Sequence, residues 1–308
     1  MASDAIRADA ARDRPARRRR RLVDAATGWA LVSPAALVVI GLSLVPMGWA
    51  LLLSFRAQDL ITPGHGVGTA NYHALVDDPA FRGAVRNTIS YSAVFVPLSC
   101  IVGLGIAILL NQRVRLVGFY RTCVFAPFVA SAAAEGILFG WVFDPNFGAM
   151  NGLLHVIGIS RQGFLENPDQ ALWVLTAVSL WGGIGFNVVI YLAALQDVPV
   201  ELREAALIVG ATPWQTFRRI VLPLLVPVTF FLVLYQTITA LQLFDLVYAT
   251  TKGGPLDSTT TVVYFVYQQA FQFFHAGYGA AAAWILAVGI LVVGAGQAIL
   301  VRIRGAVR

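Results

Sequence analysis

The sequence predicts an all-α integral membrane protein of six transmembrane helices with both termini in the cytoplasm. Three observations carry that prediction. The 308 residues are 58% hydrophobic and 12% charged, with a mean hydropathy of +0.72, about half the charge of an ordinary soluble domain. Six apolar runs reach the roughly 20 residues that a bilayer-crossing helix needs. Basic residues crowd onto alternate connecting segments, which is the pattern that sets orientation.

Taken in order, the first run is Trp29–Leu53. It is too long for a signal-peptide core and lacks a small-residue cleavage site, so it is expected to stay as a span. The preceding basic segment, residues 1–28 with "RPARRRRR", reads as an anchor for anionic headgroups beside a span, not as a nucleic-acid patch. Thr88–Leu110 follows, then Thr122–Phe143, where Glu135 is the one charged residue found in any of the runs. Ala171–Leu195, Ile220–Phe244 and Ala276–Val301 complete the set, giving a membrane domain over residues 29–305 and a short tail, 306–308.

Seventeen Lys and Arg residues fall on the N-terminus, the second-to-third and fourth-to-fifth connections and the tail; five (Arg56, Arg82, Arg86, Arg161, Lys252) fall opposite. Segments 54–87, 144–170 and 245–275 are therefore expected outside. "NFGAMNGLLHVIGIS" in the second of these patterns as a short amphipathic helix. Cys100 and Cys123 lie in apolar runs and read as buried packing residues, with no metal-ligand spacing. His65, His73, His155 and His275 join no defensible catalytic arrangement, and the phosphate-cradling P-loop motif is absent. The sequence thus predicts no catalytic residue, no metal site and no cofactor bound by this chain.

The segment "ELREAALIVGATPWQTFRRIVLP", within the loop 197–222, carries charge and helix punctuation between two greasy runs. Pro199 suits a first helical position, with Glu201 at the third facing free amides. Gly210 suits the left-handed residue that ends a helix. Thr212-Pro213-Trp214-Gln215 spells a capping box, and Arg218 and Arg219 close the next turn. Trp214, Phe217, Val221 and Leu224 recur on one helical face. The prediction is helix, tight turn, helix: a rigid convex elbow that either lies on the membrane or docks into a partner.

Glu204-Ala205-Ala206, Gly210-Ala211, Ile220 and Leu222-Pro223 resemble the EAA motif of permease subunits of bacterial binding-protein-dependent ABC importers. "WGGIGFNVVIYLAALQDVPVELREAA", "GTANYHALVDDPAFRGAVRNT" and "LFDLVYATTKGGP" are similar to the carbohydrate-uptake (maltose, lactose and glycerol-phosphate) branch, and the resemblance covers about residues 29 to 305. Val209 departs from the Asp that the family commonly has before the Gly. The resemblance implies the type I importer fold in a bacterial cytoplasmic membrane and four kinds of partner: a second homologous permease, two ATPase subunits holding ATP and Mg2+, an extracytoplasmic solute-binding protein, and lipid. It also implies that Glu204 makes a polar contact with an ATPase, while Ala205, Ala206 and Gly210 permit close approach.

Polar side chains inside spans are costly and tend to face a cavity or a partner helix. Glu135, Trp181, Asn187, Tyr191, Gln236, Thr239, Gln242 and Asp245 are accordingly the candidates for a substrate pathway. Trp181, Phe186, Tyr191 and Tyr235 could stack on sugar faces; Glu135 reads as a structural pairing before a ligand. No Arg or Lys lies inside a run, which favours a neutral saccharide or polyol over glycerol 3-phosphate or a glycerophosphodiester. An ion-coupled secondary transporter is the rival class, disfavoured by the shortage of embedded ionisable residues.

Overall fold

The computed structural model describes residues 27–59, 64–112 and 115–306, the last five by backbone alone. The basic N-terminal run, Arg113 and residues 307–308 lie outside the described residues. The chain divides into two compact units at Leu53/Ser54. The described part of the first is essentially one helix, α1 (Thr27–Ser54), apolar throughout and with a wide π turn at Ile40–Leu44. That turn sits just before Pro46, which has no N–H to return to the preceding turn.

The second unit opens with a minimal antiparallel pair, β1 (Arg56–Ala57) and β2 (His65–Gly66), a small departure from an all-helical expectation. A short helix α2 (Ala70–Asp77) follows, then α3 (Pro79–Leu110). Asp78 caps α3 by accepting from Ala80 N at 2.8 Å, with Pro79 in the first turn. At 32 residues, α3 is about 48 Å long by helical rise. It starts well before the apolar run at Thr88.

The third run is not one straight helix. It folds as α4 (Val117–Val129) and α5 (Ala132–Val142), bent by 100° at Ala130–Ser131. Pro127 weakens the end of α4, and Ser131 Oγ caps α5 by accepting from Ala134 N at 3.3 Å. The amphipathic α6 (Ala149–Val156) appears where its pattern predicts. α7 (Ala171–Gln196) is unbroken. The elbow helix α8 (Val200–Ile208) leads to α9 (Pro213–Leu224) and α10 (Val226–Leu241), and the last two are bent by 62° around Leu225, between Pro223 and Pro227. Two short helices, α11 (Asp245–Ala249) and α12 (Val262–Tyr267), precede the long α13 (Ala276–Ala306). Among the described residues, four helices are thus long and apolar enough to cross a membrane, or up to six when each bent pair counts as one span.

Packing is by notches. A methyl on Gly103 of α3 would come within 2.7 Å of Asn187 Cβ on α7. On α7 itself, Gly182 leaves room for the Glu135 carboxylate and Gly185 for the backbone of α4 at Val124 and Phe125. Small residues let apolar helices approach closely where no hydrophobic effect drives them together. One core joins Cys100, Ala107 and Leu110 of α3 to Val188, Tyr191 and Leu195 of α7 and to Val221, Leu225 and Leu232. A second, at the far end, gathers Leu75, Phe81, Val262 and Phe265 with Ala281 and Ala282. Cys100 is buried as expected, but Cys123 is exposed, because α4 turns that face away from α7.

Candidate functional site: the elbow and the polar residues at membrane depth

The elbow is built almost entirely by local rules. Pro199 occupies the cap position and not the first helical residue, so Glu201 falls one place earlier than its spacing suggests, still in the first turn of α8. Gly210 adopts φ +77°. Ala211 N donates to Ala206 O at 2.9 Å and Gly210 N to Leu207 O at 3.0 Å, the paired bonds that stop a helix with a left-handed residue. The capping box forms as its residues predict: Gln215 N donates to Thr212 Oγ1 at 3.3 Å and Thr212 N to Gln215 Oε1 at 2.9 Å. A second π turn, Phe217–Val221, again precedes a proline, Pro223.

The elbow has two different sides. Val198 and Val221 are buried against Leu195 and Leu225, which seats the elbow on the α3–α7–α10 core. Of the predicted apolar face, Phe217 packs there too, while Trp214 and Leu224 remain exposed, the Trp214 ring 5.7 Å from that of Phe217. On the other side Glu204, Ala205 and Gly210 are exposed, whereas Ala206 is buried and Ala211, Ile220 and Pro223 are half-buried; Leu222 is on the exposed side of that boundary. The apex is apolar: Leu207, Ile208 and Val209 are 66%, 86% and 80% exposed. The three stand side by side, so the apex carries a continuous apolar surface. Residue-type reasoning looked for charge here and passed over Ile208.

The polar residues at membrane depth separate into three sets. Asn187 is wholly buried and accepts from Gln236 Nε2 at 2.7 Å through Oδ1, tying α7 to α10. Its Nδ2 is enclosed with no hydrogen-bond partner. Tyr191 is likewise buried, its hydroxyl donating to Thr229 Oγ1 at 3.3 Å. Glu135 and Trp181 form a second set: the carboxylate lies against Gly182, and Phe139, one turn beyond Glu135, meets the Trp181 ring edge-on at 5.1 Å. Glu135 is 9% exposed, and among the described residues its carboxylate makes no hydrogen bond or ion pair. The third set is open. Thr239 is exposed with its hydroxyl on Tyr235 O, Asp245 is exposed in the first turn of α11, and Gln242 lines a groove of about 410 Å³ with Val263, Val266 and Ala287.

Two arrangements go beyond the sequence reading, which named Phe186 and Tyr235 singly and gave no signal for their neighbours or for a groove. The rings of Phe128, Phe186, Tyr235 and Phe231 follow one another at 5.5, 4.7 and 6.3 Å across α4, α7 and α10. At the far end, an open groove of about 540 Å³ is lined by Trp141, Asp144, Glu166, Thr250, Thr251 and Pro255. Both join residues more than 40 positions apart, beyond any local pattern.

A set of long apolar helices, two of the candidate spans broken, with one capped elbow seated on the core, is the architecture of a multi-pass membrane protein. The chain belongs to the family described as binding-protein-dependent transport system inner membrane component, whose model matches residues 96–304. It is 34% identical to the lactose transport system permease LacF of Rhizobium radiobacter, covering 86% of this chain and 90% of that one. It is 33% identical to the sn-glycerol-3-phosphate permease UgpA of Agrobacterium fabrum, over 87% and 92%. The probable ABC transporter permease YesP of Bacillus subtilis is 34% identical over 86% and 87%. The fold matches a chain of a bacterial alginate ABC transporter crystallised with an alginate-bound periplasmic protein, with a TM-score of 0.80 at 22% identity, over 90% and 94%.

Proposed function

We propose that this permease forms one half of the membrane pore of an ATP-driven importer for a neutral saccharide. Each bent pair then counts as one span, giving six, and the arginine-rich connections put the elbow and both termini in the cytoplasm. A second permease completes the pore, two ATPase subunits bind ATP and Mg2+ and seat the elbow, and a solute-binding protein delivers substrate to the far end. The chain does no covalent chemistry. Its task is to turn movement of the elbow into a change of access along α7 and α10.

The observation that carries the reading is the elbow itself: a doubly capped turn, fixed underneath and apolar on top, fits a protein cleft better than open water. Glu204 stands exposed beside that apex, suited to a polar contact with the ATPase. For the substrate, the support is the absence of Lys and Arg from the apolar runs together with the ring series Phe128–Phe186–Tyr235–Phe231, since sugars offer apolar faces to aromatic rings and hydroxyls to amides. Gln242, which lines the groove, and the exposed Thr239 and Asp245 are the polar contacts assigned to it. Asn187, Gln236 and Tyr191 hold the frame behind them, with Glu135 and Trp181 at the bend of the third span. Relatives named for glycerol 3-phosphate favour a second reading, in which the same pore passes an anion and the partner permease supplies the positive charge. A binding screen of the cognate solute-binding protein, followed by ATP-dependent uptake into vesicles, decides. Saccharide binding supports the first reading, and binding of glycerol 3-phosphate or its diesters alone replaces it with the second.

A further inference from the structure

The last carbonyls of a helix have no partner within it and carry the negative end of its dipole. At the end of α7, Leu195 O accepts a hydrogen bond from Nη2 of Arg203 at 3.0 Å. Arg203 stands on α8 next to Glu204, so the bond joins the elbow to the span directly, bypassing the short link Asp197–Pro199. Leu195 belongs to the buried core with Val198, Val221 and Leu225, so its carbonyl moves with that core. Elsewhere in the guanidinium, Nε is sealed from solvent and has no hydrogen-bond partner. Closing off a cationic donor in this way is costly, which sets this arginine apart from a solvated topogenic charge.

A comparison lies in the same molecule. Arg121 of α4 donates from Nη2 to Leu110 O, the last residue of α3, at 3.4 Å. Both arginines cap the end of a long span. The difference is the segment each one sits on: Arg121 leads into the membrane, Arg203 into the exposed elbow.

We infer that Arg203 is a positioning residue for coupling: its guanidinium makes α8 and the end of α7 move as one piece. The inference rests on the reading of the elbow as the ATPase-facing segment. Without this bond the covalent connection from α7 to α8 runs through residues 197–199, of which Val198 alone is buried, and a displacement of α8 would be absorbed there. Arginine suits the position because its planar fork holds direction as well as charge, which lysine does not.

Amide hydrogen exchange on the complete importer in lipid nanodiscs, with and without ATP plus orthovanadate, tests this. Trapping the ATPases should change protection in both α8 and the last turns of α7 in the wild type. The ratio of the α7 response to the α8 response should fall in the order wild type, Arg203→Lys, Arg203→Ala, with the α7 response lost in the last. Arg121→Ala should keep the wild-type ratio. If Arg203→Ala fails to assemble, the Arg203→Lys ratio against wild type decides. An unchanged ratio in the arginine-203 variants overturns the inference, as does an equal fall in Arg121→Ala, which would mark both bonds as structural caps. Absence of any α8 response in the wild type overturns instead the reading of the elbow on which this rests.

Discussion

A side chain on Gly182 would meet the Glu135 carboxylate at 2.5 Å from Oε1 and 2.8 Å from Cδ. The carboxylate thus fills the notch that Gly182 leaves on α7. Gly182→Ala should destabilise the protein by up to about 1 kcal/mol, the low end of overpacking, because the group it meets is the end of a flexible side chain and not backbone. Glu135→Ala/Gly182→Ala should recover most of that loss, because the shorter side chain vacates the space the new methyl needs. Thermal unfolding of the purified variants in detergent checks this, and an additive double variant would show that the two residues do not share the site. The Asn187–Gln236 bond argues similarly. Asn187→Leu leaves Gln236 Nε2 without its partner in an apolar seam, at a cost of about 1–3 kcal/mol; unfolding at the wild-type temperature would show that the tie contributes nothing. Residue types alone nominated Glu135, Trp181, Asn187 and Gln236 as polar or aromatic groups at depth. They could not pair them, since Asn187 and Gln236 are 49 positions apart and the pairing depends on helix rotation.

Elements punctuated by local chemistry were the legible ones. Gly210, Thr212, Pro213 and Gln215 each act within five residues of themselves, so the turn of the elbow follows from their order. The bends were not legible, because hydropathy sums over a window and is blind to direction. Thr122–Phe143 scores as one span although Pro127 and Ser131 divide it, and the prolines at 223 and 227 do the same around Leu225. Wide π turns just before Pro46 and Pro223 show how an apolar helix accommodates a missing N–H without unravelling. The elbow's geometry makes its own prediction. Gly210 sits at φ +77° and donates to Leu207 O; proline forces φ to about −65° and removes that donor. Gly210→Pro should therefore abolish uptake while the protein still inserts. Glu204→Lys, an exposed charge reversal, should do so with no loss of thermal stability. Immunoblots of membrane fractions alongside uptake separate the two quantities, and normal transport by both variants would remove the elbow from the coupling path.

For the whole molecule the decisive physical quantity is the asymmetry of its positive charge, seventeen residues against five. Moving an arginine across hydrocarbon costs several kcal/mol, and the orientation proposed above therefore keeps the arginine-rich side, with the elbow, in the cytoplasm. Two exposed apolar residues at opposite ends make the orientation measurable. Ile208 at the elbow apex is 86% exposed, and Leu256, on the tight loop after α11, is 88% exposed. That loop is held by Thr259 and Thr260 bonding to Gly254 O and Gly253 O, and by Asn87 Nδ2 donating to Asp257 O and Thr260 O at 2.9 and 3.1 Å. A probe at Leu256 therefore reports a fixed place. With Cys100 and Cys123 replaced, Leu256→Cys should react with a membrane-impermeant maleimide in spheroplasts and Ile208→Cys should not. In inverted vesicles stripped of ATPase the reactivities should exchange, and adding the ATPase back should protect Ile208→Cys alone. Reaction of Ile208→Cys in spheroplasts would reverse the orientation, placing the elbow on the side where no ATP-hydrolysing partner could reach it.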